Sequence, residues 1–153
     1  MAEDPKLIEE HNYGCPSSRM SISEVFCTKG PIPLMTVNVC PGGQIVIDSD
    51  VPVDLLMVLE DPPHKYGSFL SLYQLSCALG VRWEEVGIAL LNFVNDKVVR
   101  EISFEGDHRY CLADEKRCIP QLISRMREAN PGRRIGLFYK EGSYHPTVRG
   151  PIS

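Results

Sequence analysis

The sequence predicts a small α+β domain with a mostly antiparallel sheet and two or three helices. Two apolar runs about a Pro-Gly-Gly turn predict a hairpin, and an apolar stripe at helical spacing predicts a helix over residues 119–129. The chain has 153 residues, of which 43% are hydrophobic and 24% are charged. This length and composition are typical of one globular domain. We expect a flexible N-terminal arm over residues 1–30 and a single globular domain over residues 31–153.

The N-terminal arm is predicted because glycine and proline interrupt residues 1–30 without any sustained apolar period. Its acidic start lacks an apolar stretch, which argues against a secretory signal. Ile22, Val25 and Phe26 are apolar enough for part of the arm to dock on the body.

The first strands are predicted on either side of residues 41–43, which read Pro-Gly-Gly. Before them, Met35, Val37 and Val39 alternate with polar residues, and residues 44–48 follow as a second β-rich run. Because a strand follows this turn, it does not fit a phosphate-binding loop, which must lead into a helix.

The next two elements differ in how clearly the pattern predicts them. Residues 54–59 are a brief apolar run that fits either a strand or a short helix, and Pro62 ends it. Residues 68–79 show helical spacing, with Ser68 placed to cap the start and Gly80 just after the end.

The C-terminal half is predicted to contain more strands and one clear helix. We expect strands at residues 98–104 and 135–139, and a helix at 119–129 with Pro120 in its first turn. The apolar run over residues 86–94 favours a strand, although Glu84 and Glu85 could also begin a helix there. The tail from residue 140 onward contains several glycines and prolines and is predicted to be a loop.

Charge is distributed unevenly along the chain. Residues 1–95 hold 5 Lys and Arg against 12 Asp and Glu, whereas residues 116–153 hold 8 against 2. Such a basic end on an acidic body can attract RNA or a lipid surface, or the acidic part of another copy. It can also be a solvated face with no partner.

A cluster of basic residues is the strongest functional signal in the sequence. Arginine binds phosphate through two parallel hydrogen bonds, and the neighbouring aromatics Phe138 and Tyr139 could stack on a base or lie at a membrane interface. On a strand, at least one of these two rings should face the core. The predicted anion-binding residues, for lipid or RNA, are Arg125, Arg127, Arg133, Arg134 and Lys140.

A second candidate surface is apolar and aromatic, and would bind another protein. It includes a proline-rich segment that resembles a PPxY motif with one residue too many before the tyrosine. Its residues are Pro62, Pro63, Tyr66, Phe69 and Trp83.

The cysteines and histidines predict neither a metal site nor a catalytic pair. The sequence has six cysteines but no CxxC pair, and the nearest zinc-like set is His108, Cys111 and Cys118 without an evident fourth ligand. We expect reduced thiols of an intracellular protein, no cofactor and no enzymatic activity.

Residues 34–128 contain Arg109-Tyr110-Cys111-Leu112, then Arg117-Cys118 and the helix that follows. Together with the order of the predicted elements, this region resembles the core of rhabdovirus (mononegavirus) matrix proteins. The chain is shorter than typical members, lacks their N-terminal lysine-rich stretch and has an imperfect PPxY. The resemblance implies a non-enzymatic viral structural protein that self-associates, coats the nucleocapsid and binds the inner face of the membrane.

We therefore expect a matrix-like viral protein that forms homo-oligomers and binds anionic membrane or ribonucleoprotein through its basic C-terminal region. It would be cytoplasmic and peripheral to a membrane, in the host cell or in the virion. One alternative is a small RNA-binding accessory protein in which Tyr139 or Tyr144 stacks on bases. Another is an intracellular adaptor that binds host proteins through the apolar surface.

Overall fold

A computed structural model describes residues 15–26, 37–39, 45–47, 49–140 and 142–151. The helices in this part of the chain are α1 (Ile22–Phe26), α2 (Val51–Glu60), α3 (Leu72–Leu79), α4 (Trp83–Asn95) and α5 (Cys118–Ala129). The strands are β1 (Val37–Val39), β2 (Ile45–Ile47), β3 (Val99–Phe104), β4 (Asp107–Leu112), β5 (Arg133–Lys140) and β6 (Ser143–Pro151). Short 3₁₀ turns occupy His64–Tyr66 and Asp114–Lys116.

Every strand pair within the described residues is antiparallel, and the sequence predicts a mostly antiparallel sheet. One sheet has four strands in the order β1-β2-β5-β6, and β3 pairs with β4 in a separate two-stranded sheet. The predicted N-terminal hairpin is confirmed by the pairing of β1 with β2. The central pair joins β2 to β5, with Ile47 opposite Leu137, so the hairpin meets a strand that follows it by some ninety residues. The α+β class is confirmed.

Helix α2 lies at the centre of the molecule. Its side chains Val53, Leu55, Leu56 and Leu59 are all buried, and it packs against α3, α4, α5, β4 and β5. The apolar run that fitted either a strand or a helix is therefore a helix. Pro52 lies in the first turn, where a missing N–H leaves no hydrogen bond unmade.

The strand predicted over residues 86–94 is wrong, because this segment is the middle of helix α4. Val86, Leu90 and Phe93 are buried at helical spacing, but other buried residues lie between them. The nearly continuous apolar run hid the helical period. With this helix and α2, the described residues contain five α-helices, whereas two or three were expected.

The start of helix α3 also differs from the prediction. Ser71, not Ser68, is the N-cap: its hydroxyl accepts from the backbone N–H of Gln74, and the Gln74 side chain accepts from the N–H of Ser71. This reciprocal pair is a capping box. Gly80 ends the helix in the left-handed conformation with φ of 65°, as predicted.

The predicted C-terminal loop is wrong, because Ser143–Pro151 forms strand β6 at the edge of the larger sheet. The pair Lys140–Ser143 closes the hairpin of β5 and β6. From there, residue pairs that exchange backbone hydrogen bonds alternate with pairs that exchange none, and Leu137–Pro146 is a pair of the second kind. The nitrogen of Pro146 therefore faces the free edge of the sheet. A proline there removes no hydrogen bond from the ladder.

Part of the predicted N-terminal arm is docked on the body. Ile22 of α1 is fully buried, and its N–H donates to the Glu101 carboxylate at 3.0 Å. The ring of Phe26 packs 5.9 Å from that of Trp83 and lies directly over Gly87 of α4. Residues 15–21 are also described: Cys15 is buried, and the Ser18 carbonyl accepts from the backbone N–H of His108 at 2.6 Å. The flexibility predicted for the rest of the arm concerns residues 1–14 and 27–30, which lie outside those described.

Truncation of α2 tests its central position. We expect Leu56→Ala to lower the free energy of unfolding by about 2–5 kcal/mol, because Leu56 is fully buried and the change leaves a cavity. The matched control is Leu122→Ala on α5, where the side chain is 41% exposed and the loss should be well under about 1 kcal/mol. Urea unfolding measures both, and equal losses would contradict this description of the core.

Candidate functional site: an arginine groove beside helix α2

The acidic residues of α2 are paired with arginines of the C-terminal region. Asp50, just before the helix, accepts from Arg134 at 2.8 Å, and Asp54 accepts from Arg127 at 3.3 Å. Near the end of the helix, Glu60 and Arg117 are 3.3 Å apart. The basic end of the sequence thus folds onto the acidic body within one chain.

Three arginines converge on one open groove. Arg127 comes from the last turn of α5, and Arg133 and Arg134 come from the start of β5. The turn between these elements includes Gly132, whose φ of 79° suits a residue without a side chain. The groove has a volume of about 530 Å³ and is lined by Asp50, Asp54, Arg127, Asn130, Gly132, Arg133, Arg134 and Ile135. We call it the arginine groove.

The arginines in this groove differ in how they are held. Arg134 donates to one oxygen of Asp50 from both Nε and Nη2, at 3.1 and 2.8 Å. Arg133 donates from Nε to the backbone carbonyl of Arg149 at 2.7 Å, a neutral partner. Among the described residues that line the groove, three guanidinium groups therefore face two carboxylates, which leaves one excess positive charge.

Asp54 has a raised pKa. Partial burial is the main cause, because it disfavours the charged carboxylate of this half-exposed side chain, and the neighbouring Asp50 adds to it. The hydrogen bond and charge of Arg127 act in the opposite direction. Ionisation of Asp54 at the groove is therefore less favourable than ionisation of an aspartate in the unfolded chain.

Two of the five predicted anion-binding residues lie elsewhere. Arg125 lines a separate groove beside Glu60 and Asp61. Lys140 ends strand β5, roughly 23 Å from its start at about 3.3 Å per residue. The structure brings Arg127, Arg133 and Arg134 together and leaves Arg125 and Lys140 outside the groove.

The tyrosines expected to stack on bases face the core instead. Tyr144 is 6% exposed, and its hydroxyl donates to the carboxylate of Asp96. Burial and this hydrogen bond raise the pKa of Tyr144. Tyr139 packs edge-on against Tyr144, with ring centroids 5.0 Å apart. As predicted for a strand, one of the two adjacent aromatics therefore faces inward, and Phe138 is the one that does not.

The predicted protein-interaction residues do not share one environment. Phe69 is 40% exposed, whereas Tyr66 is half-buried with the Lys65 ammonium 5.0 Å from its ring centroid. Trp83 is engaged by Phe26 of α1. Pro62 and Pro63 are half-buried and precede the 3₁₀ turn.

The zinc-like set is not assembled. His108 and Cys111 are three residues apart on β4, so their side chains point to opposite faces of the strand. Cys118 is exposed at the start of α5. Among the described residues, no group of three or more His, Cys, Asp or Glu side chains is placed to hold a metal ion.

The chain matches no known protein-family model, no curated protein and no solved structure. The resemblance to rhabdovirus matrix proteins stays a prediction. Of the helices within the described ranges, none combines the length and the apolar character needed to cross a membrane.

The raised pKa of Asp54 predicts a specific pH dependence. The folded state binds the Asp54 proton more tightly than the unfolded chain does, so ionisation weakens the fold as the pH rises through the raised pKa. At each pH, the compared quantity is the free energy of unfolding of Asp54→Asn minus that of the wild type. This difference should be more favourable to the variant at neutral pH than at about pH 3. Urea unfolding at both pH values measures this difference.

The control for this experiment is Glu84→Gln, which removes an exposed carboxylate from α4. If Asp54→Asn instead loses stability relative to the wild type as the pH rises, the ion pair with Arg127 outweighs burial. That result would contradict our account of the groove.

Proposed function

We propose that this protein is a non-enzymatic binding protein that holds the phosphate groups of an anionic partner in the arginine groove. The observation that carries the proposal is the convergence of Arg127, Arg133 and Arg134, from two elements, on one open groove with an excess positive charge. Guanidinium groups are suited to phosphate because their paired N–H groups match its oxygen atoms.

The carboxylates of the groove support this function. Asp50 and Asp54 hold two of the arginines in place, which lowers the entropy lost when an anion binds. Ion pairs this exposed contribute only about 0–1 kcal/mol each, so a phosphate can replace a carboxylate at little cost. Arg133, whose Nε is bound to a carbonyl, has its charge uncompensated by a described carboxylate.

The cellular role remains a proposal in two forms. The matrix-like role implied by the resemblance would use the groove on a lipid surface or a ribonucleoprotein and would add self-association. The RNA-binding accessory role needs the groove without a membrane. A peripheral, cytoplasmic location fits both roles.

Charge reversal tests the groove. We expect Arg133→Glu/Arg134→Glu to weaken binding of heparin and of phosphatidylserine vesicles at least about tenfold, because two cations are replaced by anions. For heparin, the slope of log affinity against log salt should also fall by about two. The matched control, Arg82→Glu/Arg100→Glu, changes the net charge equally at exposed arginines outside the groove.

Thermal unfolding establishes that both double variants are folded before binding is compared. Equal losses in the two would reduce the effect to net charge and contradict a site in the groove. Unchanged affinity in Arg133→Glu/Arg134→Glu would also overturn the proposal.

Removal of a competing carboxylate should have the opposite effect. We expect Asp50→Asn to bind heparin a few-fold more tightly than the wild type, because Arg134 then loses a charged partner. Asp50 is the N-cap residue of α2 but makes no side-chain cap hydrogen bond, and asparagine is also a good N-cap. Weaker heparin binding by this variant would contradict the prediction, because the loss of Arg134 positioning would then outweigh the loss of a competing carboxylate.

A further inference from the structure

The outer face of the larger sheet carries a pair of stacked rings. Core residues of β5 and β6, such as Leu137 and Tyr144, all belong to the alternate set of positions that faces the helices. Phe138 and His145 are directly paired on the opposite face, with ring centroids 5.1 Å apart and planes inclined by 27°. Phe138 is half-buried and His145 is exposed. We call these two residues the ring pair.

Basic side chains lie on the same face around the ring pair. The side chain of Arg149 crosses Gly136 and donates to the carbonyl of Ile47 at 3.2 Å. A Cβ at position 136 would overlap the Arg149 side chain, so glycine is what lets this arginine lie flat on the sheet. Lys140 is exposed two residues beyond Phe138, about 7 Å along the strand.

The arginine groove is continuous with this face. Arg134 belongs to the same outward set of β5 positions as Phe138, and its guanidinium lies in the groove. The backbone carbonyl of Arg149 accepts from Arg133, which also links the two regions. Cations therefore lie at both ends of the ring pair, with the groove at one end and Lys140 at the other.

We propose that this surface binds a single-stranded nucleic acid, with bases stacked on the ring pair and phosphates held by Lys140, Arg149 and the arginine groove. The inference rests on the proposed function and names its partner. Stacking on aromatic side chains set in a basic sheet face is a general way to bind single strands, because every base has an aromatic face.

The geometry favours a single strand over a duplex or a lipid surface. In a duplex the bases are already stacked on one another and are not free to stack on protein side chains. Phe138 is half-buried beside His145 and does not project as an apolar anchor for a bilayer. The positive charge around the rings complements a polyanion.

The test compares a labelled short oligouridine, a duplex of the same length and heparin, by fluorescence anisotropy on the intact protein. We expect the wild type to bind oligouridine more tightly than the duplex. Phe138→Ala/His145→Ala should weaken oligouridine binding roughly 5- to 100-fold, the range for loss of base stacking, and leave heparin binding unchanged. Arg133→Glu/Arg134→Glu should weaken both.

Two further variants keep the result interpretable. His145→Ala alone removes only an exposed ring and should still weaken oligouridine binding several-fold. Phe69→Ala removes an exposed aromatic ring from another surface and should have no effect.

The outcomes separate this inference from the proposed function. If the ring-pair variants bind oligouridine as the wild type does, or if the duplex binds as tightly as the single strand, the inference is overturned. The groove would still stand if charge reversal weakens heparin binding. If heparin and vesicles bind equally well with and without charge reversal, both are overturned. Binding to vesicles without binding to oligouridine overturns the inference in favour of a lipid partner.

Discussion

The burial of helix α2 is the constraint on which the rest of the structure depends. Fully buried Leu55 and Leu56 must be covered by apolar surface from several elements, and α3, α4, α5 and strand β5 provide it. Because these elements come from widely separated parts of the chain, packing around α2 fixes the positions of the C-terminal helix and strand. One edge of α2, which carries Asp54, remains in contact with water and borders the arginine groove.

The ion pairs along that edge orient side chains more than they stabilise the fold. Each is exposed to solvent and contributes at most about 1 kcal/mol. The pairs hold Arg127 and Arg134 where a third arginine, Arg133, joins them. The uneven charge along the sequence is therefore largely compensated within one folded chain, because arginines of the basic end pair with the acidic residues of α2. What is left over at the groove is the positive charge from which we infer an anionic partner.

Local patterns in the sequence predicted the elements that have one apolar face. The stripe over residues 119–129 became α5, and the runs around the Pro-Gly-Gly turn became β1 and β2. Helix α4 was missed because it is buried on more than one side, and part of that burial comes from Phe26 packed over Gly87. Strand β6 was missed because Pro146 reads as a break, and only its place at the sheet edge makes it harmless.

The site was predictable in its cations and not in their arrangement. The basic cluster pointed to Arg127, Arg133 and Arg134, but Asp54 and Asp50 lie 73 and 84 residues away from their arginine partners. No local pattern reports such pairs. Strand alternation could have identified Phe138 as the outward aromatic once Tyr139 faced the core, but its partner His145 required knowledge that the tail is a strand.

The most direct test of the account is a residue-by-residue NMR titration of the ¹⁵N-labelled protein with a short oligouridine. Our account predicts that the largest amide shift changes occur at Arg127, Arg133 and Arg134 and at the neighbours of Phe138 and His145, with little change on α3 and α4. Changes centred on Phe69 and Tyr66, or no saturable change at any amide, would contradict it.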